Sequence, residues 1–228
     1  MLQKKSTKIV FYFFLLIIIS SINNFELNSI KLEKIKNIKL SGLDNKDSEV
    51  LLSKIKSVQL DNIFSLNTFE LKEILNANTL IEKYKVFKIY PSTLVIQIHK
   101  TNFLAKINKE NKIYLVGSNG KLSNVNSSNI QLPFIFGKPD IKEFLKFKKI
   151  IDDSKLYYDE IKNIYFFQSK RWDIEMSDKT LIKLPKDFNK DTLDSVLIFL
   201  NDKNFKENKI IDARIKNQII INDKRTRF

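Results

Sequence analysis

A chain of 228 residues, 43% of them hydrophobic and only four each Gly and Pro, supports one or two packed domains of regular secondary structure and excludes global disorder. The formal charge of +14 is spread along the sequence without a run of five or more basic residues, so it reads as a solvated surface and not as a nucleic-acid groove. Cysteine is absent, which excludes disulfides, thiol catalysis, thiolate metal sites and a cysteine-linked lipid anchor.

The chain opens with Lys4, Lys5 and Lys8 ahead of an apolar run that starts at Ile9 and continues to about Phe25. At about 1.5 Å per residue, residues 9–25 cover roughly 26 Å, near the lower limit for crossing hydrocarbon. A cleaved signal peptide is the rival reading. The residues after the run, Ser20-Ser21-Ile22-Asn23-Asn24, lack a small-x-small site, which favours an uncleaved signal anchor. The basic flank, residues 1–8, is then expected in the cytoplasm and the remainder on the far side of the membrane.

Residues 35–43 alternate Ile38 and Leu40 with Lys39 and end at Ser41-Gly42, the pattern of a strand. Residues 47–58 place Val50, Leu51, Ile55 and Val58 at helical spacing. A second helix is expected from Asn67, with Glu70 completing a capping-box pair and Leu71, Ile74, Leu75, Leu80 and Ile81 on its apolar face toward Tyr84. Two strands follow, residues 86–90 and 93–100, joined at Tyr90-Pro91-Ser92, where proline fixes φ and removes a ladder donor. In the second of these, Leu94, Ile96 and Ile98 share one face. This order predicts a three-stranded sheet with both helices on one side.

Beyond Thr101 the pattern is mostly β. Residues 112–116 and 121–122 flank Gly117-Ser118-Asn119-Gly120, a hairpin signal. Pro133-Phe134-Ile135-Phe136 is a short apolar run, and Ile141, Phe144, Phe147 and Ile151 mark a helix. Strands are expected at 163–168, 172–176 and 180–184, a helix at 190–200 and a strand region at 209–222, with a frayed tail at 223–228. The fold class is therefore α+β: an N-terminal membrane helix, a βααββ unit, then a mixed or antiparallel sheet with packing helices.

Nothing in the sequence points to catalysis, a cofactor or a metal. His99 is the single histidine and has no nucleophile or orienting acid at recognisable spacing. Asp152-Asp153 and Asp159-Glu160 alternate with Lys148, Lys149, Lys155 and Lys162, as on a solvated face. Phosphate loops, G-x-S-x-G and His-rich clusters are missing. Trp172 reads as a core residue, with a binding anchor as the alternative.

Several motifs, taken in order, resemble the FtsQ/DivIB family of bacterial cell-division proteins. They are Leu80-Ile81-Glu82-Lys83 with Val86, Lys88, Tyr90-Pro91 and Thr93-Leu94-Val95-Ile96; Leu115-Val116 with Gly120; Arg171-Trp172-Asp173-Ile174 with Leu184-Pro185; and Ile211-Asp212-Ala213-Arg214. Tyr90, Pro91, Trp172 and Asp212 are the signature positions. The resemblance implies a POTRA domain at 35–101 and the family's β domain at 102–222. It also implies a non-enzymatic inner-membrane scaffold at the septum, with other division proteins met through the POTRA domain. In this family the C-terminal strand binds FtsB and, through it, FtsL. Carried over by position, Arg214, Ile215, Asn217, Gln218, Ile219, Ile220, Ile221 and Asn222 are the expected contacts. The sequence departs from the family pattern at His99–Asn102, Ser118 and Ala213. Two other readings stand beside this one: a membrane-anchored periplasmic cell-wall enzyme, and a POTRA-type assembly factor, for whose barrel the last part of the chain is too short.

Overall fold

The computed structural model describes residues 3–22, 33–58, 60–124, 131–200, 209–215 and 218–223. The chain begins with helix α1 (Gln3–Ile22), in which every residue from Ile9 to Ile19 is an exposed large hydrophobic. The expected span at 9–25 is not matched: among the described residues, no helix is long and apolar enough to cross a membrane. Lys8 bounds the apolar stretch on one side, and the described part of it, to Ile22, covers about 21 Å against roughly 30 Å of hydrocarbon. Residues 23–25 lie outside the described residues.

The first sheet combines β1 (Asn37–Ser41), β2 (Ile81–Ile89) and β3 (Thr93–Lys100) in the order β1-β3-β2. β1 runs parallel to β3 and β2 antiparallel to it. Helices α2 (Asn45–Ser57) and α3 (Thr68–Ala77) cover one face, where Leu51, Ile55, Leu71 and Leu75 meet Ile81, Leu94, Ile96 and Ile98. Each of these side chains contributes about 1.5–3 kcal/mol by leaving water. Asn67 caps α3 by accepting from Phe69 N at 3.0 Å.

The helix does not run on through Ile81. It ends at Asn78, whose Oδ1 accepts from Leu80 N at 2.9 Å and turns the chain. Residues from Ile81 onward then gain a full ladder against β3, which outweighs a further helical turn. The Tyr90-Pro91 peptide bond in the β2–β3 turn is cis.

Gly42, just after β1, has φ +100°, and a Cβ there would sit 1.8 Å from the Ile98 carbonyl oxygen. Both the left-handed backbone and the close approach require glycine. Gly42→Ala is expected to destabilise the first sheet by at least about 2 kcal/mol, read as a lower midpoint in urea with an unchanged slope.

The second sheet has nine strands. β4 (Phe103–Lys109), β5 (Lys112–Gly117), β6 (Leu122–Ser123), β7 (Phe134–Phe136), β8 (Ile161–Phe166), β9 (Trp172–Met176), β10 (Leu181–Lys183), β11 (Lys209–Asp212) and β12 (Ile220–Asp223) lie in the order β12-β11-β10-β9-β8-β7-β4-β5-β6. The sheet is mixed, with β4–β7, β7–β8 and β10–β11 parallel. Helices α4 (Ile141–Asp153) and α5 (Lys190–Leu200) bury Phe144, Phe147, Ile151, Leu193 and Val196 against it. Trp172 is in this core, its ring 4.6 Å from both Phe147 and Phe166.

A polar joint links the two sheets. Asn119 Nδ2 donates to the carbonyls of Thr79 and Ile81, at 3.0 and 2.9 Å. Ser118 Oγ donates to Glu82 Oε2 at 2.7 Å, and Thr101 Oγ1 donates to the same oxygen at 3.1 Å. Lys121 Nζ reaches the carbonyls of Asn76 and Asn78 at the end of α3. The departure at Ser118 thus has a local reason: a carboxylate at 118 would face Glu82. Ser118→Asp is expected to cost about 1–3 kcal/mol through like-charge repulsion and loss of the hydroxyl donor, seen as a lower Tm that rises on adding Glu82→Gln.

Candidate partner-binding edge

The end of the chain forms a hairpin rather than one long strand. β11 and β12 pair antiparallel, with Ile210 opposite Asn222, Ile211 opposite Ile221 and Asp212 opposite Ile220. β12 has β11 on one side and no strand on the other among the described residues, so it is an edge of the sheet. Alternate residues of such a strand direct N–H and C=O outward, a template for another strand. At the opposite edge, β6 is only two residues long, and Ser123 Oγ accepts from Thr79 Oγ1 in the joint.

The expected contact residues fall into two groups. Ile220, Ile221 and Asn222 lie on β12, and Ile219 immediately precedes it, packed against the core. Arg214, Ile215 and Gln218 lie in the β11–β12 connection instead, where Gln218 N donates to the Ile215 carbonyl. The alternating pattern through Ile215 suggested a continuous strand, but the chain turns back after Asp212. Asn217 lies outside the described residues. Tyr90 and Pro91 sit at the far end of the first sheet, away from this edge.

Two signature motifs converge behind β12. Register places Asp173 opposite Lys183, Lys183 opposite Asp212, and Asp212 opposite Ile220, a row across four strands. Arg171 donates to Asp173 at 3.1 Å through Nε. Arg214 grips Asp212 with Nε at 2.8 Å, Nη2 at 2.5 Å and its backbone N–H at 3.1 Å, so the connection folds back onto the end of β11. Neither motif predicts this row by itself, because strand order decides it.

The two carboxylates respond to these surroundings in opposite directions. Hydrogen bonding from Arg214 holds Asp212 below the usual carboxylate range. Burial pushes Asp173 up, partly offset by Arg171, Lys183 and Arg214. Asp212 therefore adds stability above its unfolded pKa that is lost as pH falls through the folded value. Asp173 runs the other way, since its charged form is disfavoured in the fold and protonation relieves the cost. Arg214→Gln is expected to raise the Asp212 pKa toward the ordinary range in a carboxyl-carbon NMR titration. With Arg214 half exposed, the loss at neutral pH should stay within about 1 kcal/mol.

Beside the edge, a cavity of about 840 Å³ opens between α5 and the β11–β12 connection, lined among others by Asn189, Thr192, Phe199, Arg214, Gln218 and Ile219. Sequence reasoning missed the α5 contribution, because no local pattern indicates that this helix lies against residues 213–215 and 218–219. Among the described residues, no three His, Asp or Glu side chains converge as a metal site. His99 is an exposed residue of β3.

Comparison with known proteins gives this geometry a family. The "POTRA domain, FtsQ-type" family matches residues 33–100, which hold the first sheet and its two helices. The cell division protein FtsQ of Rickettsia bellii is 25% identical over 203 residues, covering 82% of this chain and 72% of that protein. Residues 33–100 thus carry a POTRA domain of FtsQ type, in a chain similar to FtsQ cell division proteins. FtsQ of Rickettsia conorii is 24% identical over 202 residues, with the same shares covered. Among solved structures, the major extracytoplasmic domain of DivIB from Geobacillus stearothermophilus matches with a TM-score of 0.33 and 14% identity, covering 46% of this chain and 98% of that one. The chain combines this POTRA unit with a large mixed sheet whose last strand is open among the described residues.

Proposed function

We propose that the protein is a non-enzymatic scaffold of the bacterial division machinery that binds FtsB, and through it FtsL, by strand addition at β12. The observation that carries this reading is the open β12 edge in a chain similar to FtsQ cell division proteins. Main-chain bonds to the edge supply affinity, and side-chain pockets beside it supply specificity. The cavity between α5 and residues 213–215 and 218–219 is the natural receptor for partner side chains flanking the added strand. Residues 35–101 act as a POTRA domain that meets other division proteins, and residues 102–222 as the FtsB-binding domain. The work of such a protein is binding and geometry, linking early division proteins to septal peptidoglycan synthesis.

The exposed apolar helix α1 attaches the chain to the inner membrane, with the bulk in the periplasm. Its run from Ile9 to Ile19 exposes a continuous hydrophobic surface that water does not favour. A fluorescent fusion of the full chain is expected to gather at mid-cell in dividing cells. A uniform signal along the envelope would overturn the division role, and recovery in the soluble fraction would overturn the membrane attachment.

A further inference from the structure

The geometry points to a second membrane contact: the turn-bearing end of the first sheet, built around Phe64, Ile89 and Tyr90, rests in the interfacial region of the bilayer. This rests on the membrane attachment proposed for α1. Phe64 and Tyr90 are both 59% exposed, yet their rings pack 4.8 Å apart. Phe69, on the first turn of α3, and Ile89, at the end of β2, expose further apolar surface at the same end. Leaving such a cluster in water is costly, whereas aromatic side chains are favoured at headgroup depth.

The patch is held in shape by local bonds. Asn62 Oδ1 accepts from Phe64 N and Ser65 N, both at 3.0 Å. Lys88 Nζ donates to the Ile63 carbonyl at 2.8 Å, tying this turn to the β2–β3 hairpin.

Chain continuity indicates what covers it. The strand entering the first sheet from α1 touches this same end: Ile35 N donates to the Asp61 carbonyl, and Lys36 N donates to the Ser92 carbonyl. Lys34 bridges to Asn62. Eleven peptide steps separate Ile22 from Glu33, so the entry point lies within about 40 Å of the helix end at full extension. A patch tethered that closely meets the bilayer at high effective concentration, and weak apolar insertion is then sufficient. Lys36 is paired with Glu33 and Lys88 with the Ile63 carbonyl, so the contact is built on apolar side chains and not on anionic lipid.

The test uses the full chain reconstituted in phosphatidylcholine vesicles with brominated acyl chains. Phe64→Trp and, independently, Tyr90→Trp place a reporter in the patch. Ile113→Trp places one on the exposed β4–β5 hairpin, and wild type gives the background from buried Trp172. Quenching several-fold stronger at 64 and 90 than at 113, little changed by salt, is the expected result. Equal quenching at all three positions in vesicles that the chain co-floats with overturns this contact and leaves the attachment through α1 standing. A chain that does not co-float overturns both.

Discussion

Of the two adjacent variants Ile220→Pro and Ile221→Pro, one is expected to weaken partner capture strongly while leaving the fold intact. In an edge strand, successive residues alternate between donating inward and donating outward. Proline removes the N–H, and its ring blocks close approach on that side. At the position whose N–H faces away from β11, the cost falls on the incoming strand, and FtsB binding should weaken roughly tenfold to a hundredfold. At the other position the cost falls on the β11–β12 pairing, so Tm should drop as well. Calorimetric titration with the FtsB periplasmic segment, paired with thermal unfolding, separates the two. Unchanged affinity in both variants would sink strand addition at β12.

Trp172→Ala is expected to cause the largest loss of stability in the second sheet. The buried indole packs between Phe147 of α4 and Phe166 of β8, so its removal leaves a large cavity in the core. A cost of about 3–5 kcal/mol follows, equivalent to roughly 6–20 °C in Tm for a chain of this length. Trp172→Phe keeps most of the ring contact and should lose about 1–2 kcal/mol. Circular dichroism of both variants, with FtsB binding measured on Trp172→Phe, separates a core role from that of a binding anchor. If Trp172→Phe abolished binding at an unchanged Tm, the core assignment would fail.

Local pattern made much of the fold legible. Residues 172–176 and 190–200 coincide with β9 and α5, because alternating and helical apolar spacing survive in the final packing. Asn67 was readable as a cap because the interaction spans only a few residues. The failures occur where two local options compete. Leu80 and Ile81 continue a helical apolar face, yet Ile81 pairs across the sheet with Lys100, far away in sequence. Residues 213–215 keep the strand alternation, yet the Asp212–Arg214 contact turns the chain and converts three expected strand contacts into a connection. The expected membrane span is not matched by α1, whose described part holds too short an apolar stretch after Lys8.

By itself the sequence determined which segments carry apolar faces, the βααββ order of the first unit and the ordered motifs that resemble FtsQ/DivIB proteins. These follow from spacing and residue type within a few positions of one another. Only the tertiary structure decided that β12 is the open edge of a nine-stranded sheet, that Asp173, Lys183 and Asp212 form one row behind it, and that Phe64 meets Tyr90 where the chain enters. Strand order and register depend on pairings between residues distant in sequence. Such pairings are selected by the burial of the whole sheet and leave no local trace.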